Sequence, residues 1–93
     1  MEYLKPRDVS RMRNLGKITR AEFEVISNMQ ARGLRPALNG TTLSFKNGGP
    51  GPVASIELGN LVAELYPANC GGEENAERYS NGLIVAGYEV NRC

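Results

Sequence analysis

Between Leu34 and Phe45 the apolar residues fall mostly on alternate positions on either side of Asn39-Gly40. Such alternation marks a half-buried strand, and Asn-Gly favours the two-residue turn whose positive φ angles match strand twist. The pattern predicts a hairpin in which Leu38 faces Thr41, Pro36 faces Leu43 and Leu34 faces Phe45, all on one side. Arg35, Ala37, Thr42, Ser44 and Lys46 then share the other side. With one face apolar and one polar, the hairpin lies against a core. Pro36 has no N–H to give to a ladder, so its strand is expected to be an edge or irregular there.

Helical spacing dominates before the hairpin. Thr19 and Glu22 form a Thr-x-x-Glu capping box, with Ile18 and Phe23 as the flanking apolar staple. Val25, Ile26 and Met29 supply a buried stripe, and Gly33 closes the helix with Leu34 folding back on Met29. This sets a helix over 20–32. An earlier one runs from Pro6 or Asp8 to Leu15 before Gly16, with Val9 and Met12 as its apolar edge and Arg7 and Arg11 on an exposed face.

After the hairpin, "NGGPGP" is a turn-rich connector. Residues 53–66 admit two readings. Leu58, Leu61, Val62 and Leu65 fit a helix, while Ala54, Ile56, Leu58 and Leu61, Ala63, Leu65 alternate about Gly59-Asn60. A helix would carry Gly59 in its interior at about 1 kcal/mol relative to Ala, so a second hairpin is expected, giving a four-stranded antiparallel meander. From Glu73 the chain places Ala76, Tyr79, Leu83, Ala86 and Val90 on one helical face. A C-terminal helix broken at Gly82 is expected, with a strand over 83–90 as the alternative. The fold class is therefore α+β: two N-terminal helices, antiparallel β-hairpins, and a C-terminal helix in one domain over 1–93.

Composition narrows the chemistry. The 93 residues include no histidine and two cysteines, Cys70 and Cys93, with no Cys-x-x-Cys pair. The commonest general base and the usual zinc ligands are thus missing, so no cofactor, no metal and no catalytic residue is expected. Cys70 and the serines lack a histidine partner to activate them. "NGGPGP" lacks the Gly-x-x-x-x-Gly-Lys-Ser/Thr spacing of a phosphate loop. Asn39-Gly40-Thr41 matches a glycosylation triplet, yet no secretion signal accompanies it and it reads as a turn. The longest apolar run, "GLIVAG", is too short to cross a bilayer, so no membrane contact is expected. A cytoplasmic protein with free thiols follows as the expectation.

Charge is uneven. Residues 1–36 hold eight Lys/Arg against four Asp/Glu, 8 − 4 = +4, and residues 37–93 hold three against six, 3 − 6 = −3. Such asymmetry steers encounter with charged partners. The candidate partner-binding residues are the basic set Arg7, Arg11, Arg13, Lys17, Arg20 and Arg35, and the acidic set Glu73, Glu74 and Glu77. The acids also suit the start of a helix, and the basic residues also suit a solvated helical face. Two helices about a glycine turn invite a nucleic-acid reading, but Glu22 and Glu24 occupy the first turns of the second helix, where phosphate contact would fall.

Two segments carry a resemblance. "GEENAERYSNGLIVAG", 72–87, resembles a Glu-x-Asn-Ala segment followed by Leu-Ile-x-Ala near the end of small phage-encoded accessory proteins, departing from them after Ala86. Residues 21–46 are similar to the helix-plus-hairpin start of tubulysin-type docking domains of modular synthetases. The first implies a non-enzymatic inhibitor of the anti-CRISPR kind, working in a host cytosol by covering a surface of a host protein or nucleoprotein complex. The second implies a docking module for a multi-protein enzyme. Nucleic-acid binding through the basic helices is the remaining alternative.

Overall fold

The computed structural model describes residues 2–93. Its elements are strand β1 (Glu2–Tyr3), helices α1 (Pro6–Asn14) and α2 (Arg20–Ala31), and strands β2 (Arg35–Asn39), β3 (Thr42–Lys46), β4 (Pro52–Glu57) and β5 (Val62–Leu65). A short 3-10 turn at Pro67–Asn69, helix α3 (Glu73–Val85) and strand β6 (Glu89–Arg92) complete the chain. The fold is α+β. The strands form one sheet in chain order, β1 to β6, antiparallel except for the β5–β6 pair. Helix α3 is the crossover that a parallel pair requires. No described helix is long and apolar enough to cross a membrane.

The capping box of α2 is present: the Thr19 hydroxyl accepts from the Glu22 N–H at 3.1 Å, and the Glu22 carboxylate accepts from the Thr19 N–H at 2.7 Å. The helix closes as expected, the Leu34 N–H donating to the Met29 carbonyl at 3.0 Å. Val25, Ile26 and Met29 are fully buried against Leu43, Phe45, Ile56 and Leu65 of the sheet, with Val9 of α1 and Leu83 of α3 in the same cluster. All three helices contribute to this core, and the opposite face of the sheet has no helical layer.

The hairpin forms with a different register. Asn39 pairs with Thr42, Leu38 with Leu43 and Pro36 with Phe45, so the loop residues are Gly40 and Thr41. Gly40 has φ +64°, and among the described residues no non-glycine takes a positive φ. One positive φ at the first loop position is the type II′ pattern; the expected type I′ turn would have forced Asn39 into that region. The observed register also places Leu38 against Leu43 rather than against Thr41. Each face keeps its residues because the pairing shifts by two. Pro36 sits on the second strand of the sheet, its carbonyl accepting from the Leu4 N–H at 2.9 Å.

Residues 53–66 form the second hairpin, and β2–β5 make the expected meander. The C-terminal helix differs: α3 runs unbroken through Gly82 to Val85, and 89–92 is a strand. Gly87, at φ +98°, ends the helix. Its N–H donates to the Ile84 carbonyl at 2.9 Å and that of Tyr88 to the Leu83 carbonyl at 3.0 Å, the paired closure of a Schellman motif. Val90 therefore joins the core from β6 rather than from a helical face. Strand β1, two residues long, was not expected.

Candidate protein-docking surface

Helix α1 advances about 100° per residue, so Arg7 and Arg11 share a side while Arg13 lies nearly opposite. The structure uses that difference. The Arg13 guanidinium stacks on Phe23 of α2, 4.7 Å from the ring centroid. Arg20 pairs with Glu24 at 3.3 Å, and Arg35 stacks on Tyr3 at 5.0 Å. The basic set therefore does not converge as a whole. Arg7, Arg11 and Lys17 are exposed and have no ion pair among the described residues.

Arg11 and Lys17 line one hollow of about 320 Å³ together with Tyr3, Leu4, Asp8, Met12 and Leu38. A second hollow, about 430 Å³, is lined by Tyr3, Leu4, Lys5, Pro6, Gln30, Gly33, Leu34, Arg35 and Pro36. Tyr3 and Leu4 belong to both, so β1 and its exit form a ridge between two depressions. Local bonds hold the ridge. The Gln30 side-chain amide donates to the Leu4 carbonyl at 3.2 Å, and the Asp8 carboxylate accepts from the Lys5 N–H at 2.9 Å. Tyr3 remains 48% exposed, enough to offer ring surface to a partner. The floor is largely apolar and the rim basic.

The acidic set lies elsewhere. Glu73 pairs with Arg92 at 2.7 Å, tying the start of α3 to β6, and Glu74 pairs with Arg78 at 3.6 Å. Glu77 is exposed, with no ion pair among the described residues. β1 and β6 are the two edges of the sheet, so the cationic ridge and the Glu73–Arg92 pair stand at opposite ends of the molecule.

The thiols are separate and poorly suited to nucleophilic work. Burial pushes the Cys70 thiol up, and its sulfur donates to the Tyr66 carbonyl at 3.3 Å. Cys93 is exposed; its hydrogen bond to Glu64 raises it too, by favouring the protonated form.

Sequence reasoning missed three features. Glu22 is 2% exposed and, beyond the capping box, accepts from the Gly59 N–H at 2.7 Å, joining α2 to the β4–β5 turn. Thr41 and Thr42 both donate hydroxyls to Glu57, which holds its carboxyl below the usual value. Strand β1, and with it the two-hollow ridge, lacked a period long enough to detect; the adjacency of Tyr3 to a Leu and to later basic residues was the only trace.

No family model matches the sequence, and no curated protein or solved structure matches it significantly.

Proposed function

We propose that this chain is a non-enzymatic protein-binding module whose contact surface is the Tyr3–Leu4 ridge with its two flanking hollows. The observation that carries the reading is the combination of a largely apolar floor with the exposed cations Arg11 and Lys17 at the first hollow and Lys5 and Arg35 at the second. Such a surface suits a partner segment that alternates acidic and apolar side chains: the hollows take the apolar groups, and the rim attracts and orients the acids. The acidic set contributes less, because Glu73 and Glu74 are already engaged within the fold. In its sharpest form the module is a phage-type inhibitor of the anti-CRISPR kind, covering a surface of a host protein or nucleoprotein complex. The resemblance over 72–87 supports that form.

A pull-down from bacterial lysate with three proteins tests the reading: the unaltered chain, R7E/R11E/K17E, and E73K/E74K/E77K. The basic-set reversal is expected to release the captured protein, and the acidic-set reversal to retain it. Retention by the first variant, with its fold intact, contradicts the proposal. Binding to a defined nucleic acid that falls log-linearly with salt, in place of a protein partner, transfers the basic edge to nucleic-acid recognition.

A further inference from the structure

We infer that the free edge of β6 takes an extended, lysine- or arginine-rich segment of another protein as an added strand. In a parallel pair, alternate residues turn both backbone groups towards the neighbouring strand. The Glu89 N–H donates to the Leu61 carbonyl at 2.8 Å and the Cys93 N–H to the Leu65 carbonyl at 2.9 Å, so Glu89, Asn91 and Cys93 face β5. Val90 and Arg92 therefore turn their N–H and C=O groups outwards, where the sheet has no further strand. Such a row is a template for pairing unless a proline, a bulge or a free lysine blunts it. β6 reads Glu-Val-Asn-Arg and pairs with β5 in unbroken register, so none of these devices is present. Its one cation, Arg92, is drawn onto Glu73 at 2.7 Å.

Carboxylates border this edge on both faces of the sheet. Ala63 and Leu65 point into the core, so Glu64 and its neighbour Glu89 lie exposed on the open face. On the helical face, Glu77 stands one turn along α3 from Glu73, the residue that reaches Arg92. Glu73, Glu77 and Ile84 fall within about 40° of one another around the helix axis. Arg78, Gly82 and Val85 lie on the other flank, where they line a hollow with Asn28 and Arg32 of α2. Glu77 and the 55% exposed Ile84 are thus on the β6 side of α3. Among the described residues, none of Glu64, Glu77 and Glu89 has an ion pair. A strand bonded to Val90 and Arg92 sends its side chains alternately to the two faces. Cations on it meet Glu89 and Glu64 on one face and Glu77 on the other, whereas an acidic segment is repelled on both. A second copy is a poor occupant, because its own β6 brings the same carboxylates to the junction. The edge lies across the sheet from the Tyr3–Leu4 ridge and is independent of it.

Amide hydrogen exchange of the full chain, read by NMR with and without a capped Val-Lys-Lys-Val-Lys-Lys-Val peptide, is the test; this probe carries lysines on both faces when extended. The Val90 and Arg92 amides are expected to exchange freely in the chain alone and to slow at least about tenfold at saturating peptide. The Glu89 amide, already bonded to Leu61, should change little. E77K/E89K should weaken peptide binding by about tenfold at low salt, and R11E/K17E should leave it unchanged. Circular dichroism checks each fold, and E77Q/E89Q, with a smaller weakening, replaces the first variant if the reversal disturbs folding. A peptide with glutamate in place of lysine should give no protection. The inference is overturned if the basic peptide leaves Val90 and Arg92 unslowed, or if the acidic peptide protects them equally. Protection that rises with the concentration of the chain alone overturns it too, by giving the edge to a second copy.

Discussion

Replacing Glu22 by Ala removes the carboxylate that bonds the start of α2 to the β4–β5 turn. Its carboxylate accepts from the N–H groups of Thr19 and Gly59, both at 2.7 Å, from a position 2% exposed. Loss of the reciprocal half of a capping box costs about 0.5–2 kcal/mol. Loss of a charge-assisted bond that strands the Gly59 N–H costs a further 1–3 kcal/mol or so. The expected sum is roughly 1.5–5 kcal/mol, a large share of the stability of a chain this size. Glu22→Gln keeps one acceptor oxygen but turns a donor towards one of the two N–H groups, so an intermediate loss is expected. Glu24→Ala is the control: it removes only the pair with Arg20, whose side chains are 84% and 51% exposed (Arg20 and Glu24), worth about 0–1 kcal/mol. Urea unfolding monitored by circular dichroism gives the three values, and amide exchange at Gly59 reads the long-range bond directly. If Glu22→Ala unfolds within about 0.5 kcal/mol of the unaltered chain, or if Gly59 exchange is unchanged, the reasoning fails.

Phe45→Ala should cost about 3–5 kcal/mol of unfolding free energy in urea, because the ring is fully buried in the core; near-native stability would place that ring outside it. Tyr88→Phe should leave stability unchanged or raise it, since the buried Tyr88 hydroxyl has no hydrogen-bond partner among the described residues; a loss above about 1.5 kcal/mol would mean that the hydroxyl is bonded. Burial and then the charge of Glu22 push this phenol up from 10.0 to about 12, so its contribution is complete below the ordinary value and is lost as pH rises through about 12. A phenolate absorbance titration that shows every tyrosine ionising near 10 would contradict that. Thr41→Val/Thr42→Val should raise the NMR titration midpoint of Glu57, because both hydroxyls stabilise its carboxylate. In the unaltered chain the folded midpoint lies below 4.5, so the Glu57 contribution is present above that value and is lost as pH falls through the lowered one.

The helix ends and the apolar stripe of α2 were legible because each rests on a local rule: Thr19 and Glu22 satisfy donors within one turn, and Gly33 lets Leu34 return to Met29. The four-strand meander followed from alternation about Asn39-Gly40 and Gly59-Asn60, and its faces held even where the register did not. Register depends on which residue takes the positive φ, and Asn39 and Gly40 both suit that role by type. The end of α3 was harder. Leu83, Ala86 and Val90 fit one helical face, but Gly87 diverts the chain and Val90 reaches the core from a strand. Charge counting nominated Arg11 and Lys17, which line a hollow, together with Arg13, Arg20, Glu73 and Glu74, whose partners come from neighbouring elements or helical turns. Spacing alone does not tell an available charge from an engaged one.

The docking claim is tested most directly by a photo-reactive amino acid placed at one position at a time and irradiated in bacterial lysate. Position 3, on the ridge between the two hollows, is compared with position 77 on α3, both exposed. Cross-links to a distinct protein from position 3, lost in the R11E/K17E background and absent from position 77, are the predicted result. Cross-links from position 77 with none from position 3 would contradict it.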